Sequence, residues 1–406
     1  MTHQPSGYRE PSRRSLLRAL GAAPVVAAGV LAASPAASAV VPARSAEKGR
    51  VPQTLRPGGQ LDRYVAERAA RDEFSGTVLI AYRGDPVLTR SHGMADKDRD
   101  IPNRPDTIFN LASVTKIFTG LAVMQLAAKG ELGIHDTLGG HLDGFAAEPA
   151  GATLHQLLTH TSGVGRDATG PDVGIPSEWD SLEVVWDGVL GAIREIPTTK
   201  FPPGNGNSYS NDAFWLLGAI VATVSGEDYF YDYVRQHIFQ PAGMRDTDYY
   251  TRPQVQGDRD IAHQYPLGPD GQRFDFTMGE QFPFVGGPDG GAYSTVEDML
   301  HFATALQDDE LLDRSFTDIA TRGKLPKSPA RDETASHLFT GYGCHDYVYR
   351  GQRIYGNDGG GPGAGANLDI FPGLDWVTVV VTNYGDTPTT VKPIVNLARE
   401  LIVDSA

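Results

Sequence analysis

Hydrophobic positions near the start of the chain follow first a helical and then a β-type spacing. Apolar residues recur on one face of residues 60–72, which predicts an amphipathic helix. The segments 74–82 and 86–90 are rich in β-branched and other apolar residues and predict two strands. Because Arg83-Gly84-Asp85 between them has turn-forming composition, we interpret the pair as a β-hairpin and not as an adhesion motif.

The longest apolar run at helical spacing lies further along the chain. It begins near Ser113 and ends at about Lys129, where Gly130 can terminate a helix. Apolar residues cover nearly all of its sides, which predicts a buried helix at the centre of the fold. Helical patterns then dominate residues 137–245.

The C-terminal third returns to β-type spacing. A helix is predicted over Thr295 to Leu306, with a capping box formed by Ser294 and Glu297. Strands and a closing helix are predicted over 347–354, 366–371, 376–382 and 387–403. Strands at both ends with helices between them predict an α/β fold: one sheet completed late, with an all-helical lobe inserted over about residues 115–280.

The N-terminus has the composition of a targeting segment. Ser12-Arg13-Arg14-Ser15-Leu16-Leu17 is a twin-arginine pattern, and a moderately apolar run leads to the cleavage-type sequence Ala37-Ser38-Ala39. The run contains glycines and a proline, which disfavours a permanent membrane span. We therefore expect a secreted or otherwise extracytoplasmic protein, divided into a signal peptide, a linker and a folded domain at residues 1–39, 40–58 and 59–406.

Composition restricts the partners and cofactors. The 406 residues are 40% hydrophobic and 21% charged, as in a globular protein with a sizeable core. The formal net charge of −15 becomes −18 without residues 1–39, which carry +3, and so acidic a chain disfavours nucleic acid and anionic membranes. The single cysteine, Cys344, cannot form an internal disulfide, and we expect it to be structural. No His/Cys/Asp cluster has metal-ligand spacing, so neither a metal nor another cofactor is predicted.

Ser113 and Lys116 are the first candidates for chemistry. They stand three residues apart at the start of the apolar run, so that a helical turn brings the hydroxyl and the amine together. A lysine can take the proton of a serine only if burial or neighbouring cations lower the pKa of its amine, and the apolar flanks offer that burial. The alternative is a helix-capping serine beside a solvated lysine.

Tyr209-Ser210-Asn211 is the second candidate element. It lies between a Gly/Pro-rich turn and the apolar helical run that begins at Phe214. A loop held by buried aromatic residues can fix polar side chains over a cleft, where Tyr209 could relay a proton and Asn211 could hold a substrate amide. An ordinary helix start with an asparagine cap explains the tripeptide equally well.

A glycine-rich stretch at residues 355–363 is the third candidate element. Glycines allow the backbone to approach a ligand closely and to present N–H groups to it, as an oxyanion hole requires. A flexible loop is the alternative. A phosphate-binding loop is disfavoured because no G-x-G-x-x-G occurs and a strand pattern follows.

Three motifs occur in the order found in the serine β-lactamase and penicillin-binding superfamily, which this sequence resembles. They are Ser113-x-x-Lys116, Tyr209-x-Asn211 and a glycine-rich stretch that leads into a strand. The chain looks most similar to the branch of class C β-lactamases, D-Ala-D-Ala carboxypeptidases and esterases. Three further segments support this branch, at residues 157–163, 201–204 and 241–244. The resemblance covers roughly residues 60–400 and implies a β-lactamase/transpeptidase-like fold, an antiparallel sheet flanked by helices beside an all-helical lobe, with the site in the cleft between them.

Carried onto this sequence, the resemblance implies a role for each candidate. Ser113 becomes the acylated nucleophile, Lys116 its base, Tyr209 the proton shuttle to the leaving group and Asn211 a ligand of the substrate amide. The oxyanion hole would consist of the backbone N–H groups of Ser113 and Gly360. His160 falls in a segment that the family uses structurally, so direct catalysis by it is not expected.

The sequence departs from the family at the third motif, which is usually Lys or His, any residue, then Gly. Here the best register gives Asn357-Asp358-Gly359. A neutral amide replaces a group that can carry a positive charge, and Asp358 would repel a substrate carboxylate if it faced the cleft. We therefore expect a preference for esters, amides or blocked peptides over β-lactams and free D-Ala-D-Ala termini.

The leading hypothesis is thus a secreted serine hydrolase that forms an acyl-enzyme with a small-molecule or cell-wall peptide substrate. An acyltransferase that uses the same acyl-enzyme is the first alternative. The second is a penicillin-binding or sensing module that turns over poorly or not at all.

Overall fold

The computed structural model describes residues 51–165, 175, 176, 178–327, 337–385 and 388–406. Its strands are β1 Gly76–Tyr82, β2 Asp85–His92, β3 Met94–Asp96, β4 Ile101–Pro102, β5 Phe109–Asn110, β6 Tyr293–Ser294, β7 Leu325–Pro326, β8 His337–Thr340, β9 His345–Tyr349, β10 Gln352–Gly361, β11 Ala364–Phe371 and β12 Trp376–Thr382. Eight of them form one antiparallel sheet in the order β2-β1-β12-β11-β10-β9-β8-β7.

The helices surround this sheet and fill the interval between its early and late strands. They are α1 Gln60–Ala70, α2 Lys116–Ala128, α3 Ala147–Ala150, α4 Leu154–Leu158, α5 Leu182–Arg194, α6 Asn211–Ser225, α7 Phe230–Val234, α8 Arg252–Gly257, α9 Val296–Gln307, α10 Arg314–Thr321 and α11 Pro388–Asp404. Tighter 3₁₀ turns occur at Gln53–Leu55, Ala112–Thr115 and Leu138–Gly140, and a π turn at Arg235–Phe239.

The sheet joins the two ends of the sequence. β1 pairs along its whole length with β12, with Val78 opposite Val380, and β11 lies on the other side of β12. Every residue of β12 is buried, because this strand is covered on both faces. The predicted hairpin is confirmed: β1 and β2 meet at a turn in which Arg83 and Gly84 both have positive φ.

Two hydrophobic cores lie on opposite faces of the sheet. On one face α1 and α11 pack against the strands through side chains such as Leu61 and Ile394. On the other face α2 and α9 pack against alternate residues of the same strands, through Phe118 and Phe302 among others. The predicted central helix is confirmed, since α2 is buried from Lys116 to Leu126 and Gly130 follows it with a φ of +74°.

The predicted fold class is also confirmed. Between β5 and β6 the described residues form helices and loops, and α4, α5 and α6 extend the α2 core into an all-helical lobe. The sheet carries helices on both faces. The cleft between sheet and lobe is the place where the candidate residues meet.

Three local predictions differ from the structure. The cap of α9 is Thr295, whose side chain accepts from Asp298 N, so the predicted capping box of Ser294 and Glu297 is wrong. The strand predicted over 347–354 is two strands, because a turn with positive φ interrupts it at Arg350 and Gly351.

The third difference concerns the predicted linker. Its last residues, 51–58, include the 3₁₀ turn Gln53–Leu55, and the side chain of Leu55 is fully buried in the core beside α1 and α11. The twin-arginine pattern and the predicted signal peptide lie outside the described residues. No helix within the described residues is long and apolar enough to cross a membrane.

Candidate active site

Ser113 stands on a tight turn that leads into α2. It belongs to the 3₁₀ turn Ala112–Thr115, and Lys116 is the first residue of the α-helix. Side chains three apart lie almost above one another in a 3₁₀ turn. The Lys116 Nζ atom is accordingly 3.3 Å from Ser113 Oγ.

The turn before Ser113 is held in a strained conformation. Ala112 has a φ of +44°, a region that residues with a Cβ rarely adopt. Its N–H donates to Asn110 Oδ1 at 2.8 Å, and its carbonyl accepts from Gly291 N at 3.3 Å. Such strain persists only where the surroundings fix the backbone, so the position of Ser113 is set by contacts on both sides of the turn.

Lys116 is enclosed by the protein. Only 2% of its surface is exposed, and the rings of Tyr209 and Phe214 lie 4.7 and 5.3 Å from its Nζ atom. The amine donates to Asn211 Oδ1 at 2.8 Å and to the backbone carbonyl of Asp289 at 2.5 Å. All its hydrogen-bond partners are therefore uncharged oxygens, and the alternative of a solvated lysine does not apply.

Tyr209 reaches Ser113 from the helical lobe. Its hydroxyl lies 2.6 Å from Ser113 Oγ, and 49% of its surface is exposed toward the cleft. The next residue, Ser210, caps α6 by accepting from Ala213 N, so the asparagine cap considered for this tripeptide is wrong. Asn211 is instead the first residue of α6, and its side chain meets Lys116.

The ring of His160 packs against the ring of Tyr209. The two rings lie 4.6 Å apart, and His160 Nδ1 accepts from Ser210 N at 3.2 Å. Burial and the charge of Lys116 hold the pKa of His160 well below its usual range. A neutral, buried ring of this kind positions the Tyr209 loop.

The glycine-rich stretch is the end of strand β10 and not a loop. Its residues 357–361 pair with β11 on one side only among the described strands, so the other edge is open to the cleft. A Cβ atom at Gly359 would lie 2.6 Å from Ser113 N, which explains the need for glycine there. A Cβ atom at the next residue, Gly360, would meet no other atom within 4 Å, so this position is not crowded.

Asn357 and Asp358 point to opposite faces of β10. Asn357 is 6% exposed, and its Nδ2 donates to the carbonyls of Ser113 and Gly343 at 2.8 and 3.1 Å. Both donors of this amide thus hold β10 against the Ser113 turn, and only its Oδ1 remains for other contacts.

Asp358 belongs to a chain of charged groups that the sequence analysis missed. Its Oδ1 lies 2.9 Å from His345 Nδ1, and His345 Nε2 lies 2.7 Å from Lys327 Nζ. Loss of bulk water inside the cleft opposes ionisation of Asp358, whose side chain is 52% exposed there, but the hydrogen bond from His345 and the charge of Lys327 outweigh it and hold the pKa of this carboxyl well below its usual range. Its negative charge is therefore balanced, and the expected repulsion of carboxylates by Asp358 is weakened. No spacing signal in the sequence connects these three residues.

These residues line one cleft of about 900 Å³ between the sheet and the helical lobe. A smaller pocket of about 320 Å³ adjoins it at Ser113 and is bordered by aromatic residues, among them Trp215 and Phe282. No group of three or more His, Cys, Asp or Glu side chains in the described part of the chain is arranged to hold a metal ion. Cys344 borders the cleft but is buried, and burial raises the pKa of its thiol to about 12, in keeping with a structural residue.

Comparisons with known proteins agree with this geometry. A family model described as Beta-lactamase matches residues 61–399. The chain is 30% identical over 307 residues to penicillin-binding protein 4* of Bacillus subtilis, which covers 72% of this chain and 64% of that protein. It is 34% identical over 196 residues to esterase EstB of Burkholderia gladioli, which covers 45% of this chain and 49% of the esterase.

The fold is similar to that of a solved relative. The crystal structure of a penicillin-binding protein from Bacillus halodurans matches with a TM-score of 0.69 and 30% sequence identity, over 82% of this chain and 99% of that chain. The family match spans most of the present sequence, although the chain spans only 64% and 49% of the two curated relatives named above. The chain therefore belongs to the β-lactamase family.

Proposed function

We propose that this protein cleaves an ester or amide through an acyl-enzyme formed on Ser113. The observation that carries the proposal is the meeting of three groups in one cleft. Ser113 Oγ lies 3.3 Å from Lys116 Nζ and 2.6 Å from the Tyr209 hydroxyl. A serine with two proton-transfer groups in hydrogen-bond reach is the arrangement that nucleophilic catalysis requires.

Acylation begins with removal of the Ser113 proton. An uncharged lysine amine has two N–H donors and one lone pair. Asn211 Oδ1 and the Asp289 carbonyl accept the two donors, which leaves the lone pair for the hydroxyl proton of Ser113. Lys116 is thus suited to act as the general base while its own position stays fixed.

The carbonyl oxygen of the substrate needs donors when it becomes an oxyanion. Backbone N–H groups of Ser113 and Gly360 are proposed to supply them, because Gly359 brings β10 against the Ser113 turn. Collapse of the tetrahedral intermediate breaks the bond between the carbonyl carbon and the leaving group. Tyr209 passes a proton to the departing oxygen or nitrogen, and water later cleaves the Ser113 ester by the reverse proton transfers.

The side chains that line the cleft support a proposal for the substrate class. Asn211 Oδ1 is taken by Lys116, and its amide nitrogen is left to bind a carbonyl of the acyl group. Asn357 provides no positive charge beside Ser113, and the similarity to an esterase agrees with an uncharged reacting group. We propose esters, amides or D-amino-acid peptides as substrates of an exported enzyme, with carboxylates directly beside the cleaved bond disfavoured.

A substitution at Asn357 tests this selectivity. Asn357→Lys restores a cation near Ser113, and we expect kcat/KM for a chromogenic cephalosporin to rise about tenfold, equivalent to about 1.4 kcal/mol of added transition-state attraction. Hydrolysis of an uncharged p-nitrophenyl ester serves as the reference. Asn357→Gln is the matched neutral control. Wild-type protein that turns over the cephalosporin faster than the ester would contradict the proposed preference.

The role of Tyr209 is tested by removing only its hydroxyl. Tyr209→Phe keeps the ring against His160 and Lys116, so we expect little loss of stability. It deletes one proton-transfer group, which lowers kcat by about 10²–10⁴-fold. The decrease should be larger for an amide than for a p-nitrophenyl ester of the same acyl group, because the phenolate leaves without a proton. Equal decreases for both substrates would speak against proton transfer to the leaving group.

A substrate panel read by intact mass separates hydrolase, acyltransferase and sensor. A hydrolase shows an adduct that appears and decays in water. An acyltransferase gives acylated amine or alcohol when such an acceptor is added. A sensor retains a stable adduct, and a protein that neither a fluorophosphonate nor any substrate of the panel labels acts as a binding module.

A further inference from the structure

The cleft continues past Ser113 to the opposite face of the sheet. Successive residues of a strand point to opposite faces, so Asn357 and Gly359 face the Ser113 turn while Asp358 faces away from it. β9 pairs with β10 only as far as Gly356, and the open edge beyond that point connects the two sides. We call the part of the cleft behind β10 the rear chamber. It is bordered by Thr340, Asp358, Asn367 and Lys392.

Helix α11 forms the far wall of the rear chamber. Asp369 of β11 pairs with Arg399 of α11, and a Cβ atom at Gly365 would lie 3.1 Å from the Val391 side chain. Asn367 stands between Gly365 and Asp369 on the same face of β11, so its side chain also points toward α11. Asp358 lies opposite Asn367 in the β10–β11 register.

Two buried polar groups of the chamber lack partners. Asn367 is 5% exposed, and its Nδ2 forms no hydrogen bond. Thr340 is 3% exposed, and its Oγ1 forms none either. Buried donors are nearly always satisfied in folded proteins, and leaving one unpaired costs stability. The Asn367 residue borders the cavity, and a small rotation of its side chain brings the enclosed amide nitrogen to the cavity, where it is suited to donate to an oxygen of a ligand.

The charges of the chamber favour an anionic oxygen. Asp358 is already paired with His345, and Lys327 stands behind that histidine. Arg399 and Asp369 balance each other. Lys392 also borders the chamber, close enough to act on the charge of Asp358, so positive groups exceed negative ones.

We propose that the rear chamber binds a carboxylate carried by the leaving group of the substrate, with Asn367 Nδ2 donating a hydrogen bond and Lys392 supplying the positive charge. This inference rests on the proposed function. It specifies a leaving group that places its carboxylate several bonds beyond the cleaved bond, because the chamber lies behind β10. A carboxylate directly beside the reacting carbonyl meets Asn357 instead and gains no cation.

A matched pair of substrates tests the proposal. One is the phenylacetyl thioester of 4-mercaptobutanoate, and the other is the thioester of its methyl ester, so that only the distal carboxylate differs. The released thiol is measured with a disulfide reagent against a blank of protein without substrate, because Cys344 is buried but borders the cleft. We expect wild-type protein to hydrolyse the carboxylate substrate with about tenfold higher kcat/KM.

Asn367→Leu removes the unpaired donor at nearly constant volume. We expect it to abolish the tenfold preference, leave the methyl ester rate unchanged and change the melting temperature little, since the amide nitrogen makes no hydrogen bond. Lys392→Met should abolish the preference independently. The control is Thr378→Val, which removes another buried unpartnered group, in β12, that does not line the cleft, and should change neither rate.

The possible results separate this inference from the proposed function. If both thioesters and a p-nitrophenyl ester stay intact with wild-type protein, the proposed function fails and the inference fails with it. If the thioesters are cleaved but without preference, or if both chamber variants retain the preference, only the rear chamber is refuted. A parallel loss of both rates in Asn367→Leu indicates a structural role and also refutes it.

Discussion

Ser113→Ala is expected to eliminate fluorophosphonate labelling and to lower kcat for ester hydrolysis by about 10⁴-fold or more. The substitution removes the only hydroxyl that lies within reach of both Lys116 and Tyr209 among the described residues. The side chain is small and partly exposed, so the folded state should keep its stability. Labelling is followed by intact mass over time, which also reports whether a substrate adduct forms.

Ser208→Ala is the matched control for this prediction. Ser208 lies one residue before Tyr209, and its hydroxyl accepts from Lys200 at the surface of the lobe. Its removal should leave both the labelling rate and the hydrolysis rate unchanged. Adduct formation in Ser113→Ala at the wild-type rate would place the nucleophile elsewhere in the chain and would end the proposed mechanism.

Lys116→Met is expected to slow fluorophosphonate labelling and ester hydrolysis by about 10²–10⁴-fold, because Ser113 loses its general base. Methionine fills a similar volume in the buried site. It removes the hydrogen bonds that Lys116 donates to Asn211 Oδ1 and the Asp289 carbonyl, so we expect a loss of about 1–3 kcal/mol in the free energy of unfolding. The rates should therefore be measured at a temperature at which the variant is folded by circular dichroism.

Lys129→Met provides the control for the charge change. Lys129 comes directly after the last residue of α2 and is exposed, so its substitution should affect neither rate. If Lys116→Met labels as fast as the wild type, Lys116 is not the base. A faster rate at high pH in Lys116→Met, approaching that of the wild type, would support the assignment because hydroxide then replaces the missing base.

Two kinds of residue surround these catalytic candidates: residues that hold them in position, and residues with unpartnered polar atoms at the cavity. The ring of His160 packs against the ring of Tyr209, and Asn357 donates a hydrogen bond to the backbone carbonyl of Ser113. Asn357 Nδ2 and His160 Nδ1 form hydrogen bonds within the protein, and both residues act as positioning residues. Conversely, Asn367 and Thr340 have unused polar atoms at the cavity, which is why the rear chamber and not the Asn357 position is proposed to take a carboxylate.

Several local predictions were wrong for identifiable reasons. Ser294 and Thr295 are both able to cap α9, and pairing of Ser294 in β6 leaves the cap to Thr295. The strand predicted over 347–354 contains Arg350 and Gly351, the same pair of residue types that forms the turn of the first hairpin, and their positive φ values separate β9 from β10. In both cases long-range strand pairing decided between local alternatives of similar energy.

The sequence by itself determined the elements whose causes are local. Helical spacing predicted α2 and placed Lys116 one turn from Ser113, and the β-branched run at Trp376 predicted β12 at its observed bounds. Motif order predicted the family, which the match over residues 61–399 confirms. The predicted helix and strand depend on the periodicity with which side chains alternate along each element, and residues close together in the sequence are enough to establish that periodicity.

Only the tertiary structure decided which distant groups meet. Tyr209 and Asn357 reach Ser113 across 96 and 244 residues of sequence, and the chain from Lys327 through His345 to Asp358 has no counterpart in any local pattern. The unpartnered amide of Asn367 is likewise visible only when its surroundings are known. Such contacts arise because the two faces of the sheet bury different helices, and the packing of those layers, not the spacing along the chain, brings each side chain to its neighbours.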